Sequence, residues 1–288
     1  MKKMMTCALS AALLLTVSCG KSDVEDDASL AVSMDFEDWK PSKTFTFSFD
    51  GAVTECARTR DTLAELGVTD LWLFDYVDGQ MVQTIHKAEG FGDVTASLAY
   101  GAHTLCFVAS RGSEPTVDVP DISWEKPSDT FWAAVTMDVQ PSTPASQAVT
   151  LRRVATRLRV SVSDEITADM RRIEVEPAVW YYGIDVRTGD GTDARRQVRT
   201  VDIPASYAGT QGQLTASFFG LSPSDGWQTD VDVRVTDADG AVIGSVYLPS
   251  VRFGQNMTTA CSGGMLGTQG GFTVTADDVW LDENVVEW

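Results

Sequence analysis

The chain has 288 residues, 43% of them hydrophobic, enough for two cored domains of roughly 100 to 150 residues each. Its 41 acidic and 22 basic side chains leave a net charge of −19. A field of that sign repels phosphates over the whole surface and excludes nucleic acid as a partner; the one basic cluster, Arg152, Arg153, Arg157 and Arg159, is too local to reverse it.

At the N-terminus, Lys2 and Lys3 precede a short apolar run from Ala8 to Val17 that ends in small residues before Cys19. That layout predicts an export signal peptide over residues 1–18, too short for the roughly 20 apolar residues that span a bilayer. Leu15-Thr16-Val17-Ser18-Cys19 resembles a bacterial lipobox, so Cys19 is the candidate lipidation site and a lipid on it the expected membrane anchor. Residues 19–36 open with Asp23, Glu25, Asp26 and Asp27, a polar and acidic stretch expected to serve as a flexible tether. An acidic run behind such a cysteine resembles the surface-export signal of Bacteroidetes lipoproteins, which implies a place on the outer face of the outer membrane. Gly20-Lys21-Ser22 ends like a phosphate-binding loop, but Leu15 stands where its first glycine belongs and no strand precedes it.

Beyond the tether, short runs of two-residue alternation dominate, each bounded by glycine, proline, aspartate or asparagine. Phe45, Phe47 and Phe49 alternate with Thr44, Thr46 and Ser48, which puts three rings on the core face of a first strand from Lys43 to Thr54. Leu71 to Tyr76, Asp78-Gly79 and Met81 to Ile85 read as a hairpin. Val94 to Leu98 and Thr104 to Ala109 read as a second strand pair, and Phe131 to Val139 closes the first half. Residues 141–145, Pro-Ser-Thr-Pro-Ala, are the best linker in the chain and set the expected boundary between domains at 37–145 and 146–288.

The second half opens with a change of apolar parity between Leu151 and Val154, as at a bulge. Runs follow at Arg172 to Val175, Val179 to Val186, Val198 to Ile203, Leu214 to Phe219, Val231 to Val235, Val242 to Leu248 and Phe272 to Thr275. Asp239-Gly240 turns one hairpin, and only Asp61 to Leu66 and Ile166 to Met170 look helical. The predicted fold class is all-β, two sandwiches in tandem after the signal and tether.

Chemistry is sparse. His86 and His103 lack the spacing of paired metal ligands, and no zinc motif is present. Around Ser262 the order Ala260-Cys261-Ser262-Gly263-Gly264 lacks the first glycine of a nucleophile elbow. Asp237, Asp239 and Gly240, or Asp190 and Asp193, lack the alternating-oxygen loop of a calcium site. The glycines from Gly263 to Gly271 have the wrong spacing for a dinucleotide fingerprint and read as a flexible bend. Cys56, Cys106 and Cys261 are too few and too far apart for a disulfide framework, although one bridge would fit an oxidising compartment. The expectation is a protein that is not an enzyme and uses no cofactor or metal. Eight tryptophans, among them Trp124, Trp132, Trp227, Trp280 and Trp288 near strand ends, raise an alternative: a surface glycan-binding lipoprotein whose exposed indoles stack on sugars.

Several segments together resemble the Bacteroidetes fimbrillin family, most of all its anchor and minor-subunit branch. They are Leu71-Trp72-Leu73-Phe74-Asp75 with Gly79 after it, the Gly101 to Ser110 strand, and Asp129-Thr130-Phe131-Trp132-Ala133. The strongest is Val149 to Val160, with its Leu151-Arg152-Arg153 and alternating valines; the tail adds Phe253-Gly254-Gln255-Asn256, the glycine stretch and Phe272 to Val274.

The resemblance implies two transthyretin-like Greek-key sandwiches, with function in fibre assembly rather than turnover and other fimbrial subunits as partners. It implies assembly by strand exchange, in which a protease cut after an arginine removes the first strand and another subunit's strand fills the groove. The candidate exchanged strand carries Phe45, Phe47 and Phe49, and the candidate cut sites are Arg58 and Arg60. Anchor members keep that strand and stay lipidated, here through Cys19. Val285, Val286 and Trp288 form the candidate C-terminal segment for donating or covering a sheet edge. Host or bacterial surface ligands are further candidate partners.

Overall fold

The computed structural model describes residues 41–53, 62–88, 92–112, 114–212, 214–266 and 271–277. The described part, within the compact unit Lys40–Trp288, is all-β as the alternation predicts, its one helical element being a 3-10 turn at Ala205–Tyr207. The segments that look helical make single turns only. In the first, Thr62 and Glu65 cap each other, the Glu65 carboxylate accepting from the Thr62 N–H at 2.8 Å and the Thr62 hydroxyl from the Glu65 N–H at 3.2 Å. In the second, the Met170 N–H reaches the Thr167 carbonyl at 3.2 Å.

The first half holds β1 (Ser42–Val53), β2 (Asp70–Val77), β3 (Gln80–Ala88), β4 (Val94–Ala99), β5 (Gly101–Ser110), β6 (Thr116–Asp118), β7 (Asp121–Ser123), β8 (Thr130–Val139) and β9 (Ser146–Arg153). The second holds β10 (Ala155–Val162), β11 (Arg172–Pro177), β12 (Trp180–Asp185), β13 (Gly191–Arg195), β14 (Arg199–Asp202), β15 (Leu214–Leu221), β16 (Trp227–Thr236), β17 (Val242–Phe253), β18 (Met257–Gly263) and β19 (Phe272–Asp277). Asp78 and Gly79, at φ 51° and 75°, turn β2 into β3 in the left-handed conformation that a two-residue hairpin needs.

A seven-stranded sheet runs β3-β2-β5-β8-β9-β1-β4. It folds over at β8–β9, which share only the pairs Phe131↔Arg153 and Trp132↔Arg152. Leu73, Phe107 and Phe131 from β2, β5 and β8 then share one core with Val149, Phe47 and Val94 from β9, β1 and β4. The second sandwich packs sheet β15-β10-β18-β19 on sheet β14-β11-β16-β17 around Leu158, Val175, Phe218, Val233 and Phe253.

A fourth sheet, β13-β12-β7-β6, draws two strands from each half, with Ile184↔Ile122 as its central cross-half pair. Beneath it a third core joins Trp72, Phe74 and Cys106 from the outer faces of β2 and β5 to Ile122, Trp124, Ile184, Phe219 and Leu221. This explains why Leu71 to Tyr76 are buried without a break: β2 has a core on each face.

Two expectations need correction, and one strand was missed. The segment 141–145 does not separate the sheets, since β9 lies beyond it yet pairs with β1 and β8 in the first sheet. The parity change at Leu151 to Val154 is no bulge inside a strand; it is where the chain leaves the first sheet at Arg153 and enters the second at Ala155. Met257–Gly263, to which the alternation assigns no strand, is β18, hydrogen-bonded to both β10 and β19. Its threonines and serine hid it from a search for apolar alternation.

Candidate functional site

The first strand is the candidate site. Phe45 and Phe47 are fully buried and Phe49 half-buried on one face of β1, as their spacing requires. Phe47 meets Phe107 at 5.4 Å between ring centroids and Phe49 meets the same ring edge-on at 5.6 Å, both favourable separations for aromatic pairs. Burying Phe45 and Phe47 contributes roughly 3 to 6 kcal/mol, a large part of the 5 to 15 kcal/mol by which a domain is stable.

The backbone of β1 serves two neighbours in succession. It runs antiparallel to β4 from Ser42↔Ala99 to Phe47↔Val94 and parallel to β9 from Thr46↔Ser146 to Val53↔Arg152, with a register shift after Phe49. Among the described residues β4 pairs with β1 alone in its sheet. Loss of β1 would therefore detach β4 and open an apolar trough lined by Phe107 and Val149, a template that another strand could refill. The turn after β8 is latched over the start of this strand. The Lys43 ammonium donates to the Pro141 carbonyl at 2.9 Å and to that of Thr143, and the Thr46 N–H donates to the Ala145 carbonyl at 2.8 Å.

Of the other residues singled out from sequence, Cys19, Arg58, Arg60, Val285, Val286 and Trp288 lie outside the described residues, as do Cys56, Trp39 and Trp280. Cys106 and Cys261 are free buried thiols, pushed up by burial to about 11 and about 12. His103 is buried between the Asp75 carboxylate at 2.7 Å and the Ala99 carbonyl at 2.9 Å, whereas His86 stacks on Trp72 at 4.6 Å and contacts Asp70 at 2.9 Å. Asp237 is a turn residue, its Oδ1 accepting the Asp239 and Ala241 N–H groups.

The described tryptophans point inward. Trp72, Trp124 and Trp180 are at most 3% exposed, and the half-buried Trp132 and Trp227 are held by packing. Trp132 donates to the Val186 carbonyl at 2.7 Å, and Trp227 stacks on Phe253 at 5.0 Å. Among the described residues they form no coplanar exposed set of the kind that would stack on a glycan chain.

One cluster escaped sequence reasoning although its members were in view. Asp129 is buried and takes the Arg153 guanidinium on both oxygens, at 2.7 and 3.0 Å, while Arg153 also donates to the Asn256 side chain at 3.1 Å. Burial pushes the Asp129 carboxyl up, and Arg153 opposes that shift. Beside it Arg152 lies over the Trp132 ring at 4.7 Å and donates to Gln255, whose amide reaches the Gly189 and Ser222 carbonyls at 3.0 and 2.9 Å. The segments Asp129–Ala133, Val149–Val160 and Phe253–Asn256 thus converge where the halves join. Their shared signal was polar residues embedded in otherwise apolar strand motifs.

No protein-family model matches the chain, and neither does any curated protein. Its fold does match solved structures. A candidate adhesin of Bacteroides ovatus superposes with a TM-score of 0.52 at 8% identity, over 75% of this chain and 85% of that one. A candidate adhesin of Bacteroides thetaiotaomicron superposes with a TM-score of 0.52 at 10% identity, over 83% and 97%. A second candidate adhesin of Bacteroides ovatus gives a TM-score of 0.50 at 12% identity, over 83% and 93%. At these identities the likeness is one of fold.

Proposed function

We propose that this chain is a non-enzymatic surface subunit of a fimbria, either an anchor held to the outer membrane by lipid on Cys19 or a minor structural subunit, assembling with other subunits through strand contacts. The observation that carries the reading is the placement of β1. It fills an apolar trough with Phe45 and Phe47, and among the described residues it is the only partner of β4 in the sheet, so a strand from another subunit that took its place would refill the trough and restore that pairing. Two further observations support it. The fold is shared with candidate adhesins of Bacteroides, and the described tryptophans are spent on packing rather than on a sugar platform.

Shearing appendages from native cells and probing the fibre and membrane fractions for this chain, beside a Cys19→Ala strain, tests the proposal. Presence in or under fibres, with loss of membrane retention in the variant, supports it. Confinement to membranes of cells whose fibres survive deletion of the chain overturns it.

A further inference from the structure

Where the segment after β7 meets the β13–β14 connection, a cleft of about 220 Å³ is lined by Glu125, Lys126, Gln197, Val198, Arg199, Thr200 and Phe218. In a chain with a net charge of −19, this cleft sets two cations, Lys126 and Arg199, against one carboxylate, Glu125. Arg199 is half-buried, and burial pulls its guanidinium down from its ordinary value. Its described contacts are the Glu125 carbonyl at 3.1 Å and the face of Tyr182 at 5.7 Å. The one acid in the lining, Glu125, is shared: it accepts from the Gln197 amide at 3.0 Å, pairs with Arg195 at 3.5 Å and also acts on the Arg199 charge. A partly desolvated cation that shares its one nearby carboxylate with Arg195 is a costly arrangement that an anion in the cleft would relieve.

The remaining walls narrow the kind of anion. Val198 is 40% exposed and lies with Phe218 as an apolar patch, while Thr200 and Gln197 offer neutral hydrogen-bonding groups. The buried Oε1 of Gln197 lacks a donor among the described residues. A bare side-chain carboxylate would use only the cations. A sugar acid would use all three: its carboxylate on Arg199 and Lys126, its hydroxyls on Thr200 and Gln197, and its ring face on Val198. The volume suits one such ring. We infer that this cleft is a subsite for an acidic monosaccharide unit of a glycan, a binding site separate from β1 and independent of the assembly reading.

The test is titration of the full chain in detergent with methyl glucuronide, with methyl glucoside, an acetyl-capped glutamate dipeptide and inorganic sulfate as comparison probes. The expected result is saturable binding of the uronide, roughly tenfold or more tighter than the glucoside, weakening as salt is added. Arg199→Gln should lower the uronide affinity by about tenfold or more. Lys126→Gln, at an exposed position that leaves folding intact, should lower it less but measurably. Equal affinity for uronide and glucoside, equal binding of sulfate or the glutamate dipeptide, or an unchanged affinity in Lys126→Gln would each overturn the assignment.

Discussion

Asp129 and Arg153 are each almost wholly removed from water, so neither can lose its partner and be rescued by solvent. Asp129→Ala should cost about 3 to 5 kcal/mol in urea denaturation, because it strands the Arg153 charge; a loss under 1 kcal/mol would mean that the pair is solvated in solution. Glu176 shows the opposite regime, near the surface. Its two oxygens receive Arg196 and Arg234, each at 2.7 Å, and the hydrogen bond from Arg196 together with both positive charges holds its carboxyl below the ordinary glutamate value. A carboxyl lowered on folding stabilises above its unfolded pKa and loses that contribution as pH falls toward the folded one. Glu176→Gln should therefore be less stable than the parent by about 1 kcal/mol at pH 7, and the two should converge below about pH 4. Chemical denaturation across that range checks it, and a gap that widened on acidification would contradict the sign.

At the scale of single strands, β1 makes the sharpest contrast. Phe47→Ala removes a fully buried ring and should cost about 3 to 5 kcal/mol, while Phe49→Ala, at a half-buried position, should cost clearly less; equal losses in denaturant titrations would contradict this packing of the strand. That ranking could be anticipated only in part. Alternation placed all three rings on one face, but a strand's own pattern does not say where its core ends, and Phe49 sits where β1 shifts register against β9. Similar limits explain the other misses. The three-residue strands β6 and β7 are too short to show a period, and β18 carries Thr258, Thr259 and Ser262 where an apolar alternation was sought. Residues 141–145 have the composition of a linker because they form a surface turn, and composition alone cannot tell a turn within a sheet from a join between domains. The trough around β1 was legible from Phe45, Phe47 and Phe49; its dependence on β4 and the latch at Lys43 arise from topology.

For the molecule as a whole, the question is whether the halves behave as two domains or one. Tandem sandwiches joined by a linker would melt separately, since little crosses such a joint. Here β9 runs through Val154 into β10, β7 pairs with β12, and the third core places Trp72 and Phe74 of one half against Ile184 and Phe219 of the other. Gly189, at φ 74°, lets the loop after β12 lie against the first half so closely that a Cβ there would come within 2.7 Å of the Trp132 ring. Apolar burial of this extent couples the free energies of the parts, so the parent chain should show one calorimetric transition with equal calorimetric and van't Hoff enthalpies. Ile122→Asp puts an unpaired carboxylate at the centre of the cross-half pair Ile184↔Ile122 without touching the cores of either sandwich. It should split the transition in two, or broaden it until the two enthalpies disagree. A variant that still melted in a single sharp transition at a lower temperature would mean that the β9–β10 connection and the Asp129–Arg153 pair suffice to couple the halves, and that the β13-β12-β7-β6 sheet follows from the fusion rather than causing it.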